Sequence, residues 1–308
     1  MSCYLQDRIC YVAQSQVYEE SRETLQEMLG VDVCEKQIER VSHCYGQLLE
    51  EDSVEKDVGG QIAVRDDQIV YAMADGSMVL TREDSWKEIK LGRVFTEVSR
   101  HQVSEKRHRI SESIYSAHLG NYKQFLSKWE KEIPLQGRLV FLADGAKWFW
   151  EWASKNYPAG LQILDYYHCK EYLCQFASAY FPGKEKQKKW IIKQEKRLFK
   201  DKVDKVIKEI QKLPLKKAAD SANKRKILTY FENNRERMYY GSYREKGLLI
   251  GSGPIEAAHR NVIQQRLKLA GQRWTKSGVQ YIANLRVCRK SQRWNKIIEL
   301  TKIDRAAA

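Results

Sequence analysis

Three carboxylates have a setting that could support chemistry. Asp75 and Asp144 each precede a glycine at the end of an apolar run, in AMADG and FLADG, and Glu256 follows GSGP at the start of a helical pattern. Ligands of α/β sheets collect at strand ends, so two such aspartates on neighbouring strands could share a divalent metal. Carboxylate oxygens suit Mg²⁺ or Mn²⁺. With Glu256 as the third ligand, the set predicts a site for two metal ions, suited to in-line attack at phosphorus.

Each of these carboxylates also has a structural interpretation. Asp-Gly is a frequent turn signal, and a turn aspartate is the commoner explanation for either pair alone. Acidic residues are favoured near any helix N-terminus, which would explain Glu256 without chemistry. Ser252 is a candidate N-cap for that helix, and Pro254 fits its first turn.

Basic residues surround Glu256 along the same helix. The chain has 54 Lys and Arg against 40 Asp and Glu, a net charge of +14, which favours a polyanionic partner. Residues 183–227 hold 17 of these cations and 6 acidic residues. That segment is a candidate phosphate-backbone surface or simply a solvated helical face. The residues after Glu256 predicted to contact DNA, by charge and stacking, are Arg260, Arg266, Lys268, Arg273 and Trp274.

A further cluster, DYYH, places Asp165 and His168 three residues apart at a predicted strand-to-helix junction. A structural or phosphate-contacting role is favoured over zinc, since zinc sites need three or four ligands. The seven cysteines contain no CxxC pair, which argues against a disulfide framework and a zinc finger. No stretch approaches the ~20 apolar residues of a membrane span, and the N-terminus lacks a signal-peptide pattern. We therefore expect a soluble intracellular protein.

The elements that must position these residues form a mixed α/β pattern. Residues 4–50 are predicted to be helical, and two helices around GVDV fit either a helix-turn-helix or an ordinary helical hairpin. After residue 60 the pattern reads β, β, α, β, α, β, α. A strand ends at Asp75-Gly76, another precedes Asp144, and a third covers 161–164. Residues 111–130 are predicted to form one helix, whose buried stripe would be Tyr115, Leu119, Tyr122, Phe125 and Trp129.

In this order the motifs ADGAKWFW at 143–150, LQILDYYHCKEYL at 161–173 and the stretch from 230 to 274 resemble a known family. The chain resembles bacterial insertion-sequence DDE transposases of the Mutator-like superfamily, in the ISKra-type group. The resemblance implies an RNase H-like mixed sheet with an all-helical insertion. In that family the first aspartate lies on the first core strand, the second aspartate follows the fourth strand, and the glutamate lies on a helix after the insertion. Asp75, Asp144 and Glu256 match these positions, and Asp165 with His168 matches the superfamily's [C/D]xxH motif.

The resemblance also implies four segments. They are a helix-turn-helix-like DNA-binding region at 1–58, a first part of the core at 59–168, a lysine-rich helical insertion at 169–245, and C-terminal helices completing the core at 246–308. The implied activity is metal-dependent DNA cleavage and strand transfer with two Mg²⁺ or Mn²⁺ ions. Implied partners are double-stranded DNA, as transposon ends and target, and further copies of the chain on that DNA. The implied location is the prokaryotic cytoplasm, at the nucleoid, with no membrane partner.

Two other functions stay open at this point. A non-transposing nuclease of RNase H fold would use the same three carboxylates. A catalytically inactive, sequence-specific DNA-binding protein derived from a transposase would work through the N-terminal helices alone.

Overall fold

A computed structural model describes residues 1–55, 62–105, 107–213 and 218–303. The predicted boundary between residues 58 and 59 lies outside these residues. The chain is mixed α/β, as predicted, with antiparallel and parallel strand pairs and many helices. It divides into two compact units, the first formed by residues 1–138 and 255–308 and the second by residues 139–254.

The first unit begins with helices, which confirms the helical prediction for residues 4–50. Ser2 caps the first helix by accepting the Leu5 N–H, and Gly30, with a φ of 65°, ends the second in the left-handed conformation. The buried face of the third helix includes Ile38 and Tyr45. The three helices are α1 (Cys3–Ala13), α2 (Tyr18–Leu29) and α3 (Glu35–Glu55).

Antiparallel strands follow in the first unit. They are β1 (Ile69–Thr81), β2 (Ser85–Thr96), β3 (Arg100–Ser104), β4 (Arg107–Ile110) and β5 (Ile114–Leu119). β2 pairs with β1 on one side and β5 on the other, while β3 and β4 form a separate hairpin. β1 does not end at Asp75-Gly76, so that prediction was wrong. β2 pairs with β1 from Val70 to Thr81, with Asp75 opposite Leu91 and Thr81 opposite Ser85.

The predicted helix over residues 111–130 was also wrong in its first half. Tyr115 and Leu119 lie in β5, and α4 (Tyr122–Glu130) begins only after Asn121, whose side chain accepts the Lys123 N–H at 2.8 Å. The apolar residues on the two sides of Asn121 fit one helical stripe, but they belong to two elements. Of that predicted stripe, Phe125 and Trp129 are buried in α4.

The second unit starts with a parallel strand pair. β6 (Arg138–Ala143) pairs with β7 (Leu161–Leu164), and the Trp-rich helix between them confirms the predicted β-α-β order. β6 is apolar and mostly buried, as continuous apolar strands of parallel sheets are. The helices are α5 (Lys147–Asn156), α6 (Tyr166–Tyr180), α7 (Lys184–Leu198), α8 (Val203–Lys212), α9 (Ala218–Asn233) and α10 (Tyr240–Glu245).

The C-terminal helices return the chain to the first unit. α11 (Gly253–Ala258) continues into a π-helical stretch, His259–Gln264, and then into α12 (Gln265–Leu267). α13 (Lys276–Lys290) and α14 (Asn295–Ile303) follow. α13 packs against α3 where Gly46 lies under Tyr281, so closely that a Cβ on Gly46 would stand 2.5 Å from the Tyr281 carbonyl oxygen.

Within the part of the chain that the structure describes, no helix combines the length and apolar character needed to cross a membrane.

The contact at Gly46 predicts a specific sensitivity. Gly46→Ala should destabilise the protein by about 1–3 kcal/mol, because α3 and α13 must separate to admit the methyl group. This loss should exceed the helix-propensity gain of up to about 1 kcal/mol. Urea unfolding measures the difference, with Gln47→Ala, an exposed position on the same helix, as the control. A Gly46→Ala protein as stable as wild type would contradict this packing.

Candidate active site

Two of the predicted site residues belong to facing elements of the first unit. Asp75 lies inside β1, where its Oδ1 accepts the Gly76 N–H at 2.7 Å. Its Oδ2 lies 3.8 Å from Nε2 of His259. His259 follows Glu256 by three residues on the same continuous helix, and the Glu256 side chain is exposed. The strand that carries Asp75 therefore faces the helix that carries Glu256.

His259 is the residue of this site that the sequence interpretation missed. It is 3% exposed, and neither ring nitrogen makes a hydrogen bond within the described residues. Burial lowers the pKa of His259 below its usual value, and the negative charge of Asp75 opposes that shift. The imidazole is therefore favoured in its neutral form. Its spacing from Glu256, three residues on one helix, was the available signal.

His259 also begins the π-helical stretch. Such stretches are rare and frequently occur at functional sites, because the extra residue per turn redirects side chains and frees backbone carbonyls. Here the change begins directly after the turn that presents Glu256. Asn261 and Val262 are within the stretch, and their carbonyls are bound by a side chain from another helix.

That side chain is Arg286 of α13, which is 2% exposed. Its guanidinium donates to the carbonyls of Val262 and Asn261 and to the carbonyl of Gln14, the residue that ends α1. Burial, with a smaller effect of nearby Arg266, lowers the pKa of Arg286 to about 10. The guanidinium stays charged at neutral pH and joins α13 to the π-helical stretch and to the end of α1 through carbonyl oxygens of those two elements.

The chemistry of the donors can be tested against a metal site. Asp75 and Glu256 offer the carboxylate oxygens that Mg²⁺ and Mn²⁺ prefer, and the buried His259 nitrogens beside Asp75 have no hydrogen-bond partner among the described residues. Within those same residues, no group of three or more His, Cys, Asp or Glu is gathered closely enough to hold a metal ion. The first unit by itself thus supplies part of a ligand set of the right type.

Asp144, the remaining predicted carboxylate, belongs to the second unit. It directly follows β6, as predicted, and its side chain is exposed. Its Oδ1 accepts the Ala146 N–H at 3.1 Å, and Gly145 has a φ of 109°, so the local geometry is that of an Asp-Gly turn. The Asp144 carbonyl accepts the Tyr230 hydroxyl at 3.3 Å. The turn fixes the backbone while most of the carboxylate stays open to solvent.

Asp165 and His168 do not share one environment. Asp165 is fully buried, caps α6 by accepting the Tyr167 N–H at 2.6 Å, and also accepts the backbone N–H and hydroxyl of Ser252. His168 is half exposed, with its Nδ1 3.6 Å from a Glu171 oxygen. Of the roles considered for this pair, the structural one describes Asp165. Ser252, the candidate N-cap of α11, uses its hydroxyl as a donor to Asp165.

Burial changes the interpretation of two predicted DNA contacts. Arg266 is 1% exposed, and its guanidinium carbon lies 5.1 Å from the Tyr18 ring centre and 4.7 Å from that of Trp274. Its Nε donates to the Ala13 carbonyl at 3.0 Å. Trp274 is 9% exposed. Both side chains are packed inside the unit, which leaves them no open surface for DNA in this conformation. The other three predicted contacts, Arg260, Lys268 and Arg273, are exposed.

Comparison with known proteins adds no relative to this description. No family model matches the chain, and no curated protein matches it either. The function proposed below therefore rests on the residues, their geometry and the resemblance of the motifs.

Removing the Arg286 guanidinium should weaken the first unit. Arg286→Met should lower the free energy of unfolding by about 3 kcal/mol, because two buried carbonyls and the part-buried carbonyl of Asn261 lose a charged donor. Hydrogen exchange of the amides in the π-helical stretch should accelerate at the same time. Arg260→Met, at an exposed position of that stretch, is the matched control. Equal stability of the two variants would show that Arg286 does not hold the helix.

Proposed function

We propose that the chain is a metal-dependent DNA transposase that cleaves phosphodiester bonds and transfers strands, with Asp75, Asp144 and Glu256 as the metal ligands. The observation that carries this proposal is the closeness of Asp75 to the Glu256 helix, at 3.8 Å from Oδ2 to His259 Nε2. A turn aspartate does not explain Asp75, since β1 continues through it to Thr81. A helix-capping role for Glu256 gives no reason for a carboxylate on the facing strand.

We further propose that the core is RNase H-like. Leaving the β3–β4 hairpin aside, the strands occur in the order β1, β2, β5, β6, β7, with the first three antiparallel and the last two parallel. Asp75 then lies on the first core strand and Asp144 directly follows the fourth. These are the positions that the transposase resemblance assigns to the two aspartates. After β7, the helices α6 to α10 separate the last core strand from the helix of Glu256 in sequence, as an all-helical insertion would.

The residues around the carboxylates suit a phosphodiester substrate. Two bound Mg²⁺ or Mn²⁺ ions would activate the attacking oxygen and stabilise the leaving oxygen. Asp75, Asp144 and Glu256 would hold them. The neutral form of His259 is favoured, so the imidazole beside Asp75 adds no positive charge that would compete with a metal ion for the Asp75 carboxylate. Arg260, Lys268 and Arg273 are exposed and would neutralise backbone phosphates.

A second basic surface is available on α7 for the proposed duplex DNA partner. This helix carries seven Lys and Arg against two Glu, and its lysines at 184, 186, 188, 189, 193 and 196 are exposed. The apolar side of α7 is covered, with Trp190 and Leu198 buried. A fixed apolar face and an exposed cationic face suit contact with a polyanion without base recognition.

Substitution of one carboxylate tests the activity. Asp144→Asn should reduce Mg²⁺-dependent cleavage and joining of plasmid DNA by about three orders of magnitude, because a ligand charge is lost where charge must be stabilised. DNA affinity measured in EDTA should stay within about twofold, since the phosphate contacts lie on other residues. Asp67→Asn, at an exposed carboxylate of the first unit, is the control.

The products of this assay separate the candidate functions. Wild-type rates in Asp144→Asn would contradict the proposed ligands. Cleavage without strand-transfer products would indicate a nuclease, and DNA binding without metal-dependent nicking would indicate a binding protein. Either of these results would contradict the proposal of a transposase.

The α7 surface has its own test. Lys188→Ala with Lys189→Ala should weaken duplex binding equally for all sequences and lower the slope of log K against log salt by up to about 2, since each phosphate contact contributes about 0.9. Fluorescence anisotropy of labelled duplexes at several salt concentrations measures this. Lys123→Ala with Lys155→Ala removes the same charge from exposed positions elsewhere. Identical slopes for the two double variants would place the DNA surface away from α7.

A further inference from the structure

The second unit contains a cavity that the proposed cleavage chemistry does not use. Its volume is ≈ 710 Å³, within the range of cavities that hold small organic ligands. Side chains of α5, α6 and α9 and of the turn after α9 line it. The lining residues that matter below are Trp150, Tyr172, Lys226, Tyr230, Asn233 and Arg237.

Aromatic rings backed by cations form two parts of the cavity wall. Tyr172 and Tyr230 stack on each other, with ring centres 4.0 Å apart, and the Lys226 amine lies 5.9 Å from the Tyr172 ring centre. The Arg237 guanidinium carbon lies 4.7 Å from the Trp150 ring centre. Rigid aromatic surfaces of this kind favour a flat, π-bearing ligand.

The charge of the lining favours an anion. Lys147, Lys226 and Arg237 supply three cations, and Glu151 is the carboxylate among the lining residues. Glu151 lies 3.2 Å from the Lys147 amine, with both side chains mostly exposed. Lys226 is exposed, so its amine can approach a ligand phosphate without losing a buried partner.

Two amide side chains in the cavity lining could hydrogen-bond to the edge of a flat ligand. Asn233 is exposed, while Asn234 is buried and fixed by its contacts with the Tyr230 carbonyl at 2.9 Å and with Arg237. Arg237 is held in turn by Gln162, whose Oε1 accepts its Nε at 2.7 Å. The exposed Asn233 amide can adjust to hydrogen-bond the edge of a base. The aromatic and cationic groups beside it suit the face of that base and its phosphate.

The cavity also adjoins Asp144. Gly145 forms part of its lining, and Tyr230 both lines it and donates to the Asp144 carbonyl at 3.3 Å. A ligand in the cavity would therefore lie beside the turn that carries one proposed metal ligand.

We propose that this cavity binds one unpaired nucleotide, with its base against the aromatic wall, its edge near Asn233 and its phosphate at Lys147 and Lys226. Flatness, negative charge and a hydrogen-bonding edge occur together in a nucleotide. The nucleotide is part of a DNA strand or free in solution, and these two sources share the recognised chemistry. This inference goes beyond the proposed function, because it requires neither metal nor cleavage.

Binding of three DNA hairpins to the full chain in EDTA tests it. The hairpins carry one unpaired thymidine, an abasic site at that position, or no unpaired position. Anisotropy should show the unpaired thymidine bound at least about fivefold more tightly than the abasic site, the scale of one stacked base. Fluorescently labelled thymidine monophosphate, with the unlabelled nucleotide as competitor, separates the two sources. A nucleotide taken only from solution would bind and be displaced by the unlabelled nucleotide, while the hairpins would show no preference.

Variants locate the effect. Tyr172→Leu and Lys226→Ala should each reduce the preference, or the competition by free nucleotide, to less than about twofold. Lys226 and Asn233 are exposed, so Lys226→Ala and Asn233→Ala keep the test valid if Tyr172→Leu fails to fold. The matched controls are Tyr122→Leu and Lys246→Ala, at exposed positions outside the cavity, and both should bind as wild type does.

Photo-crosslinking gives an independent readout. With 5-iododeoxyuridine at the unpaired position, the crosslinked peptide should contain Trp150, Tyr172 or Tyr230. Crosslinks confined to other peptides, or equal binding of all hairpins without competition by free nucleotide, would overturn the inference. A protein that cleaves DNA but shows neither the hairpin preference nor binding of free nucleotide would refute the cavity assignment and leave the proposed function standing. A protein that shows the preference but does not cleave DNA would refute the proposed function and leave the cavity assignment standing.

Discussion

Two guanidinium groups buried in the first unit hold the helix that carries Glu256 and His259 against α1. Arg286 binds carbonyls of the π-helical stretch and of α1, and Arg266 binds the Ala13 carbonyl at the end of α1. Burying a cation is costly unless its hydrogen bonds are satisfied. Here carbonyls near a helix C-terminus, where the helix dipole is negative, and the faces of Tyr18 and Trp274 replace water. The helix of Glu256 is therefore fixed by charge as well as by apolar packing.

This arrangement explains why cations beside a carboxylate have different roles. Arg266 faces inward and supports the helix, while Arg260 and Lys268 on the same segment are exposed. On the proposed function, the exposed cations would hold phosphates and Glu256 would hold metal. The second unit repeats the principle with a carboxylate, since buried Asp165 binds Ser252 and caps α6. In both units, buried charged groups bound to backbone determine where helices begin or how they continue.

The sequence predicted elements whose pattern is local and missed features that depend on distant partners. Apolar runs and turn residues were enough to predict β6, α5 and β7. The stripe from Tyr115 to Trp129 was misassigned because residues of β5 and α4 happen to share a helical spacing. The burial of Arg266 depends on Ala13 and Tyr18, about 250 residues away in sequence, so its local basic surroundings suggested a DNA contact. His259 was missed because its closeness to Asp75 is visible only in the fold.

The central claim is that Asp75 and Glu256 bind a catalytic divalent metal, and localised oxidation tests it most directly. Fe²⁺ can replace Mg²⁺ at carboxylate sites, and with ascorbate and peroxide it cuts the polypeptide next to the bound ion. We predict backbone cuts close to Asp75 and Glu256, suppressed by excess Mg²⁺ and absent in Asp75→Asn. Mg²⁺-suppressed cuts away from Asp75, Asp144 and Glu256, or no Mg²⁺-sensitive cuts at all, would contradict the account.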